Sequence, residues 1–209
     1  MARKIPAGDF GSHAVKLPLV TAGQRIGIMG GSFNPPHEGH RIVAETALKR
    51  LQLDQLWWLV TPGNPLKAHD GLAPLSERMA AARTFAPDPR MHVTSFEAEL
   101  GTPYTAATIS FLRRHLPNVH FVWVMGADNL AGFHRWQHWQ SILDTVPVAV
   151  VDRPGFRLRA LAGRAARLYA ADRIDERDAR ALPLLPPPAW VFLTTRLSDQ
   201  SSSKLRERR

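Results

Sequence analysis

Apolar residues along this chain fall into short compact runs, and between the runs they recur every three or four positions. The runs are Arg25-Ile26-Gly27-Ile28-Met29, Leu56–Val60, Met91–Phe96, His120–Met125, Val146–Val151 and Trp190–Leu193. Each is bounded by glycine, proline or polar turn residues and predicts a strand. The stretches between them predict helices. From about Gly39 to Leu51, residues Ile42, Val43, Ala47, Leu48 and Leu51 fall on one face while Arg41, Glu45 and Lys49 fall on the other. Ser76 can cap a helix containing Met79, Ala80, Ala82 and Arg83. Further helices are predicted at Tyr104–Leu116, stopped by Pro117, at Arg135–Leu143, at roughly 157–170 and, short and capped, at Ser201–Arg208. Pro183 and Pro186–Pro188 break the chain before the last strand.

Strands alternating with helices imply right-handed crossovers and a mostly parallel sheet with helices on both faces, a Rossmann-like α/β fold. No internal repeat and no long linker divides the chain, so residues 25–209 are expected to form one domain. Residues 1–24 lack periodicity and are expected to be an N-terminal extension. In such sheets ligands bind beyond the carboxyl ends of the strands. Gly30–His40, Thr61–Lys67 and Gly126–Trp136 each follow a carboxyl end, so the fold would bring them to one pocket.

Composition narrows the chemistry. The chain has 209 residues and no cysteine, which excludes disulfides, Cys-bound zinc, iron–sulfur clusters and thiol nucleophiles. It has no secretory h-region at its start and no run approaching the roughly 18 apolar residues of a membrane span, so a cytoplasmic protein without membrane contact is expected. The net charge of +9 fits a basic face for nucleic acid or polyphosphate ligands, or an arginine-rich solvated surface. The arginines between Arg153 and Arg180 are interleaved with Asp172, Asp175, Glu176 and Asp178, which favours an ion-paired helix face. No motif of a nucleic-acid reader is present, and no nucleic-acid partner is expected.

The stretch Gly30-Gly31-Ser32-Phe33 stands at a strand-to-helix turn, where glycines let backbone N–H groups approach an anion and the next helix points its positive end at the same place. G-x-G-x-x-G is not met, and no P-loop Gly-Lys-Ser/Thr follows. His37 and His40, three apart on the first helical turn, share a face beside that turn. Neutral imidazoles there can donate hydrogen bonds to oxygens whose charge grows in a phosphoryl transition state. His37-Glu38-Gly39-His40 lacks the H-E-x-x-H spacing of a zinc site and no third ligand is evident, so no metal held by the protein is expected.

The segment Gly30–His40, read as Gly-Gly-Ser-Phe-Asn-Pro-Pro-His-Glu-Gly-His, resembles the signature of the HxGH nucleotidyltransferases, and the chain from about Arg25 to Arg206 is similar to bacterial nicotinate-nucleotide adenylyltransferases. Ser201-Ser202-Ser203-Lys204-Leu205-Arg206 resembles the second family signature, with Gln200 and Ser203 where Ile and Thr are usual. Pro103-Tyr104-Thr105 resembles the family's Ser-Tyr-Thr, and Gly126-Ala127-Asp128-Asn129-Leu130 with Trp136 resembles its G-x-D-x-L…W block. Two departures stand out: Asn34 where many members have Asp, and Asn64-Pro65-Leu66-Lys67 where Pro-Pro-His-Lys is usual.

The resemblance implies transfer of AMP from ATP to nicotinate mononucleotide, with Mg²⁺ carried mainly by the ATP phosphates. It implies that His37 and His40 contact those phosphates, that Gly30, Gly31, Ser32, Phe33, Ser201, Ser202 and Arg206 bind ATP, and that Asn34, Lys67, Tyr104, Thr105, Asp128 and Trp136 bind the mononucleotide. Trp136 would stack on the pyridine ring, and Thr105 with backbone near Trp136 would hold the ring carboxylate. An acceptor other than nicotinate mononucleotide, such as its amide or phosphopantetheine, is the alternative within the same chemistry.

Overall fold

The computed structural model describes residues 15–63, 71–101 and 104–196. Its elements run β1 (Arg25–Gly31), α1 (Glu38–Arg50), β2 (Gln55–Val60), α2 (Leu75–Phe85), β3 (Met91–Thr94), α3 (Thr105–His115) and β4 (His120–Gly126). These are followed by α4 (Ala127–Gly132), α5 (Trp139–Thr145), β5 (Val148–Val151), α6 (Arg157–Leu161), α7 (Arg164–Leu168), β6 (Arg173–Ile174) and β7 (Trp190–Leu193). The strands form one seven-stranded sheet in the order β3-β2-β1-β4-β5-β7-β6. Every neighbouring pair is parallel. The chain proceeds outward from β1 in one direction through β2 and β3, then returns to lay β4 on the other side of β1. That reversal opens a crevice beyond the carboxyl ends of β1 and β4.

The strands are buried on both faces, which is why they read as continuous apolar runs. Successive residues feed opposite cores. Trp57, Ile28 and Trp123 face α3 to α7, whereas Trp58, Val122 and Val124 face α1 and α2. Trp57, Trp58 and Trp123 are wholly or almost wholly buried. At about 25 cal/mol per Å² and 150–250 Å² per ring, each contributes on the order of 4–6 kcal/mol before the entropy of ordering. The expected face of α1 is the observed one, with Ile42, Val43, Ala47 and Leu48 buried. Among the described residues no helix is long and apolar enough to cross a membrane.

Three stretches depart from the periodicity. The helix expected at Arg135–Leu143 starts late: a short α4 at the end of β4 and a 3₁₀ turn over Phe133–Arg135 come first, and α5 begins only at Trp139, after His138 in the left-handed region at φ 53°. The helix expected at 157–170 is two short helices, because Gly163 turns extended at ψ 158°. Residues Arg173–Ile174 add an edge strand, and Glu176–Leu184, with Pro183 inside, is 3₁₀. The expected helix at Ser201–Arg208 lies outside the described residues. Of the stretch expected as an extension, Val15, Leu17 and Val20 pack against the core on the α3 side, and the Gly23 N–H donates to Asn118 O at 2.7 Å.

One carboxyl is buried in this core. Glu97, in the 3₁₀ turn Phe96–Ala98, is 1% exposed. Its Oε1 accepts the Thr108 hydroxyl of α3 at 2.8 Å, and its Oε2 has no partner among the described residues. Burial pushes the carboxyl up to about 7, against the smaller opposing effect of the Thr108 hydrogen bond. The fold therefore favours the protonated form. That stabilisation is complete below the ordinary value of 4.5 and is lost as pH rises through about 7. Across this window the unfolding free energy should fall by about 1.4 kcal/mol per pH unit from this group alone. Urea unfolding between pH 5 and 8 is expected to show that slope in the natural protein and to lose it in Glu97→Gln. Parallel curves for the two would contradict the assignment.

Candidate active site

β1 ends at Gly30 and Gly31, and aromatic neighbours crowd both glycines. A Cβ at Gly30 would lie 2.7 Å from Trp123 Cη2 of β4, and one at Gly31 would lie 3.3 Å from the Phe33 ring. Phe33 follows Ser32 with φ 46°, and its buried ring stacks on Trp58 at 4.9 Å and tilts against His40 at 4.8 Å. Asn34 is turned toward the loop before α2. Its Nδ2 donates to Gly71 O at 2.9 Å and its Oδ1 accepts the Ala73 N–H at 3.3 Å. A carboxylate could not make the first of these bonds, which gives Asn a function at this position.

His37 is the N-cap of α1, extended at φ −156°, and is 3% exposed. Its backbone N–H donates to His40 Nδ1 at 3.2 Å. His40 thus takes the place that Glu or Gln holds in a capping box. Accepting at Nδ1 leaves the proton of a neutral His40 ring on Nε2. The two rings lie 3.8 Å apart between centroids. Burial, and then the charge of Arg153, push His37 down to about 4 from its ordinary 6.5, so it is neutral at physiological pH.

Arg153 explains the glycine between the histidines. It stands two residues past the end of β5, and its guanidinium occupies the space that a Cβ at Gly39 would need. Its Nε lies 3.8 Å from Asp128 Oδ1 in the first turn of α4, while a Cβ at Gly126 would collide with Asp128 and come within 3.2 Å of Arg153 Cγ. Asp152 anchors the same corner. It is buried, accepts the Arg153 N–H at 2.9 Å and pairs with the guanidinium of Arg157. The ion-paired helix expected over 153–180 is therefore not formed as a helix face. Arg153 and Arg157 spend their charges at the sheet's carboxyl end.

Trp136 is half-buried and held edge-on by Phe133 at 5.2 Å and Trp123 at 6.3 Å. Trp123 touches Gly30 in turn, so the two motifs are coupled through one ring. Tyr104, 39% exposed, is the N-cap of α3, and Thr105 is the first residue of that helix. Contacts unite Gly30–His40, Gly126–Asp128 and Arg153 at the carboxyl ends of β1, β4 and β5. Lys67, Ser201, Ser202 and Arg206 lie outside the described residues. Arg153 escaped sequence reasoning, although a charged residue just past an apolar strand was a usable signal. Among the described residues no three His, Asp or Glu side chains converge on a possible metal.

A glycine-rich turn, paired imidazoles, one of them held neutral, and a guanidinium at the switch point of a parallel sheet define a nucleotidyltransferase. The cytidylyltransferase-like family model matches residues 28–208. A probable nicotinate-nucleotide adenylyltransferase of Rhizobium johnstonii is 53% identical over 190 residues, covering 91% of this chain and 96% of that protein. One from Methylorubrum extorquens is 56% identical over 184 residues, covering 88% and 100%. The chain belongs to the nicotinate-nucleotide adenylyltransferase family. In fold it is similar to the Plasmodium falciparum nicotinic acid mononucleotide adenylyltransferase solved with NaAD, at a TM-score of 0.66 and 17% identity over 88% of this chain and 83% of that one.

Two measurements test this geometry. In an NMR titration the His37 imidazole should stay neutral at pH 6 and titrate near 4, and a midpoint at the ordinary 6.5 would show that it is not enclosed as described. Gly39→Ala should fold, because the atoms it strikes are the end of a flexible side chain. Displacing the guanidinium should lower adenylyl transfer by roughly a hundredfold. Unchanged turnover would remove Arg153 from the site.

Proposed function

We propose that this protein transfers the adenylyl group of ATP to nicotinate mononucleotide, releasing pyrophosphate and forming deamido-NAD. The observation that carries the reading is the pair of imidazoles at the start of α1, one buried neutral and the other with its tautomer set by a backbone N–H. The acceptor's phosphate oxygen attacks the α-phosphorus in line. A phosphorus–oxygen bond forms as the bond to the β-phosphate breaks, and pyrophosphate leaves with the electron pair. The attacking oxygen is already anionic, so no protein base is needed. Catalysis is positioning plus stabilisation of charge.

His37 and His40 contact the ATP phosphates. Neutral His37 binds charge that grows on the phosphoryl oxygens without adding a proton to balance, and His40, whose Nδ1 accepts a backbone N–H, offers its Nε2–H. Arg153 adds a fixed positive charge beside them. Gly30, Gly31, Ser32 and Phe33 form the turn under the nucleotide, Ser201 also binds ATP, and Ser202 and Arg206 hold the β and γ phosphates. Mg²⁺ carried by the triphosphate would supply charge neutralisation for the leaving pyrophosphate. A site built from imidazoles and guanidinium, whose Asp128 carboxylate already faces Arg153 at 3.8 Å, suits a metal brought by the substrate rather than one held by the chain.

On the acceptor side, Trp136 offers an indole face to the electron-poor pyridine ring. Thr105, at the positive end of α3, takes the ring carboxylate. Tyr104, Asn34, Lys67 and Asp128 border the same ligand. Pyrophosphate release with ATP and Mg²⁺ should be strong with nicotinate mononucleotide and weak with the amide. The double variant His37→Ala/His40→Ala should lose at least about 10²-fold in kcat. Equal use of acid and amide would overturn the Thr105 and Trp136 assignments, and near-normal turnover of the double variant would overturn the mechanism.

A further inference from the structure

Arg78 is on α2, outside the motifs that define the site, yet it is 3% exposed. Among the described residues no carboxylate lies within ion-pair range of it. Its guanidinium is given over to backbone carbonyls instead. Nε donates to Ala73 O at 2.8 Å, Nη1 to Ser32 O at 2.8 Å and Thr61 O at 2.7 Å, and Nη2 to Pro62 O at 3.2 Å. These carbonyls come from three segments: the turn after β1, the turn after β2 and the approach to α2. Asn34 ties two of the three together again through Gly71 and Ala73.

A buried cation normally carries a paired anion, because an unpaired charge away from water is expensive. Four carbonyl dipoles solvate this one without cancelling its charge. They also fix which way the peptides face. In a trans peptide the N–H points opposite to the C=O. With the Ser32 and Pro62 carbonyls on the guanidinium, the N–H groups of Phe33 and Gly63 point away from it. An anion site needs this polarity: donors turned outward, acceptors turned inward onto a cation.

We infer that Arg78 is a positioning residue for adenylyl transfer: its guanidinium locks the turns after β1 and β2 in one arrangement, with their carbonyls withdrawn, ready for two anionic substrates. The inference rests on the function proposed above. Lysine keeps the charge but replaces the planar fork with a single point of donation, so it cannot span the four carbonyls.

Arg78→Lys is therefore expected to raise KM for both ATP and nicotinate mononucleotide, lowering kcat/KM by roughly tenfold to a hundredfold. Binding of inorganic tripolyphosphate, followed by calorimetry, should weaken in step. A role in stability alone would lower Tm and leave both KM values, measured well below Tm, within twofold of the natural protein, and that result overturns the inference. If Arg78→Lys does not fold, the unsubstituted protein decides. Without substrates, the backbone order parameters of Ser32, Thr61 and Ala73 should sit near the rigid value of about 0.85, and values below about 0.6 overturn it. No pyrophosphate release by the unsubstituted protein would instead bring down the proposed function, and this inference with it.

Discussion

A guanidinium lodged against the Cα of Gly39 has to be reconciled with a helix N-terminus that is itself positive. Arg153, the positive N-terminus of α1 and any proton on His37 would repel one another in a small, partly dry space. The structure resolves the conflict by withdrawing charge rather than adding acid. His37 gives up its proton, and Asp128 approaches Arg153 only to 3.8 Å from a half-exposed position. What is left is a site whose positive potential suits several phosphate oxygens. The glycine and the loose acid–base pair follow from the placement of one arginine at the end of β5, and its charge adds to the burial that keeps the histidine neutral.

The supports around this centre follow the same economy. Asp152 is buried so that Arg153 leaves the strand in a fixed direction, and Arg157 pairs with it from α6. Asn34 and Arg78 hold the turns on the other side of the crevice. Asp152, Arg157 and Arg78 act without touching a substrate. Asp152, Asn34 and Arg78 each take up backbone polar groups that would otherwise compete for a substrate, which is how a site made largely of loops stays ordered on a rigid parallel sheet.

Strand positions and the face of α1 were legible because burial on both sides of a parallel sheet writes itself as apolar runs, and one-sided burial as a period near 3.6. The short α4 and the late start of α5 near Trp136 were not. Ala127 and Leu130 bury an i,i+3 pair too short to register as a period, and His138 at φ 53° carries no compositional mark. The break at Gly163 was signalled only by a single glycine. In the site, the glycines and histidines announced an anion turn, but the steric need for Gly30 lies in Trp123, nearly a hundred positions along the chain, and that of Gly39 in Arg153. Contacts of this kind exist only once the sheet has formed. Arg78 had no signal at all, since in sequence it is one more arginine on the polar side of a helix.

The acceptor side is organised differently. α3 presents its positive end at Thr105, and three residues along the same helix Thr108 donates its hydroxyl to the buried Glu97. An ionised carboxyl beneath the first turn would oppose the attraction of that helix end for an anion. Burial keeps the proton on Glu97 up to about pH 7, so the opposing charge is largely absent in acid and neutral solution. The phosphate side of the crevice thus keeps its cations by discharging a histidine, and the acceptor side keeps its helix dipole by discharging a glutamic acid. In both cases desolvation, the largest influence on each group, removes the charge that would work against an anionic ligand.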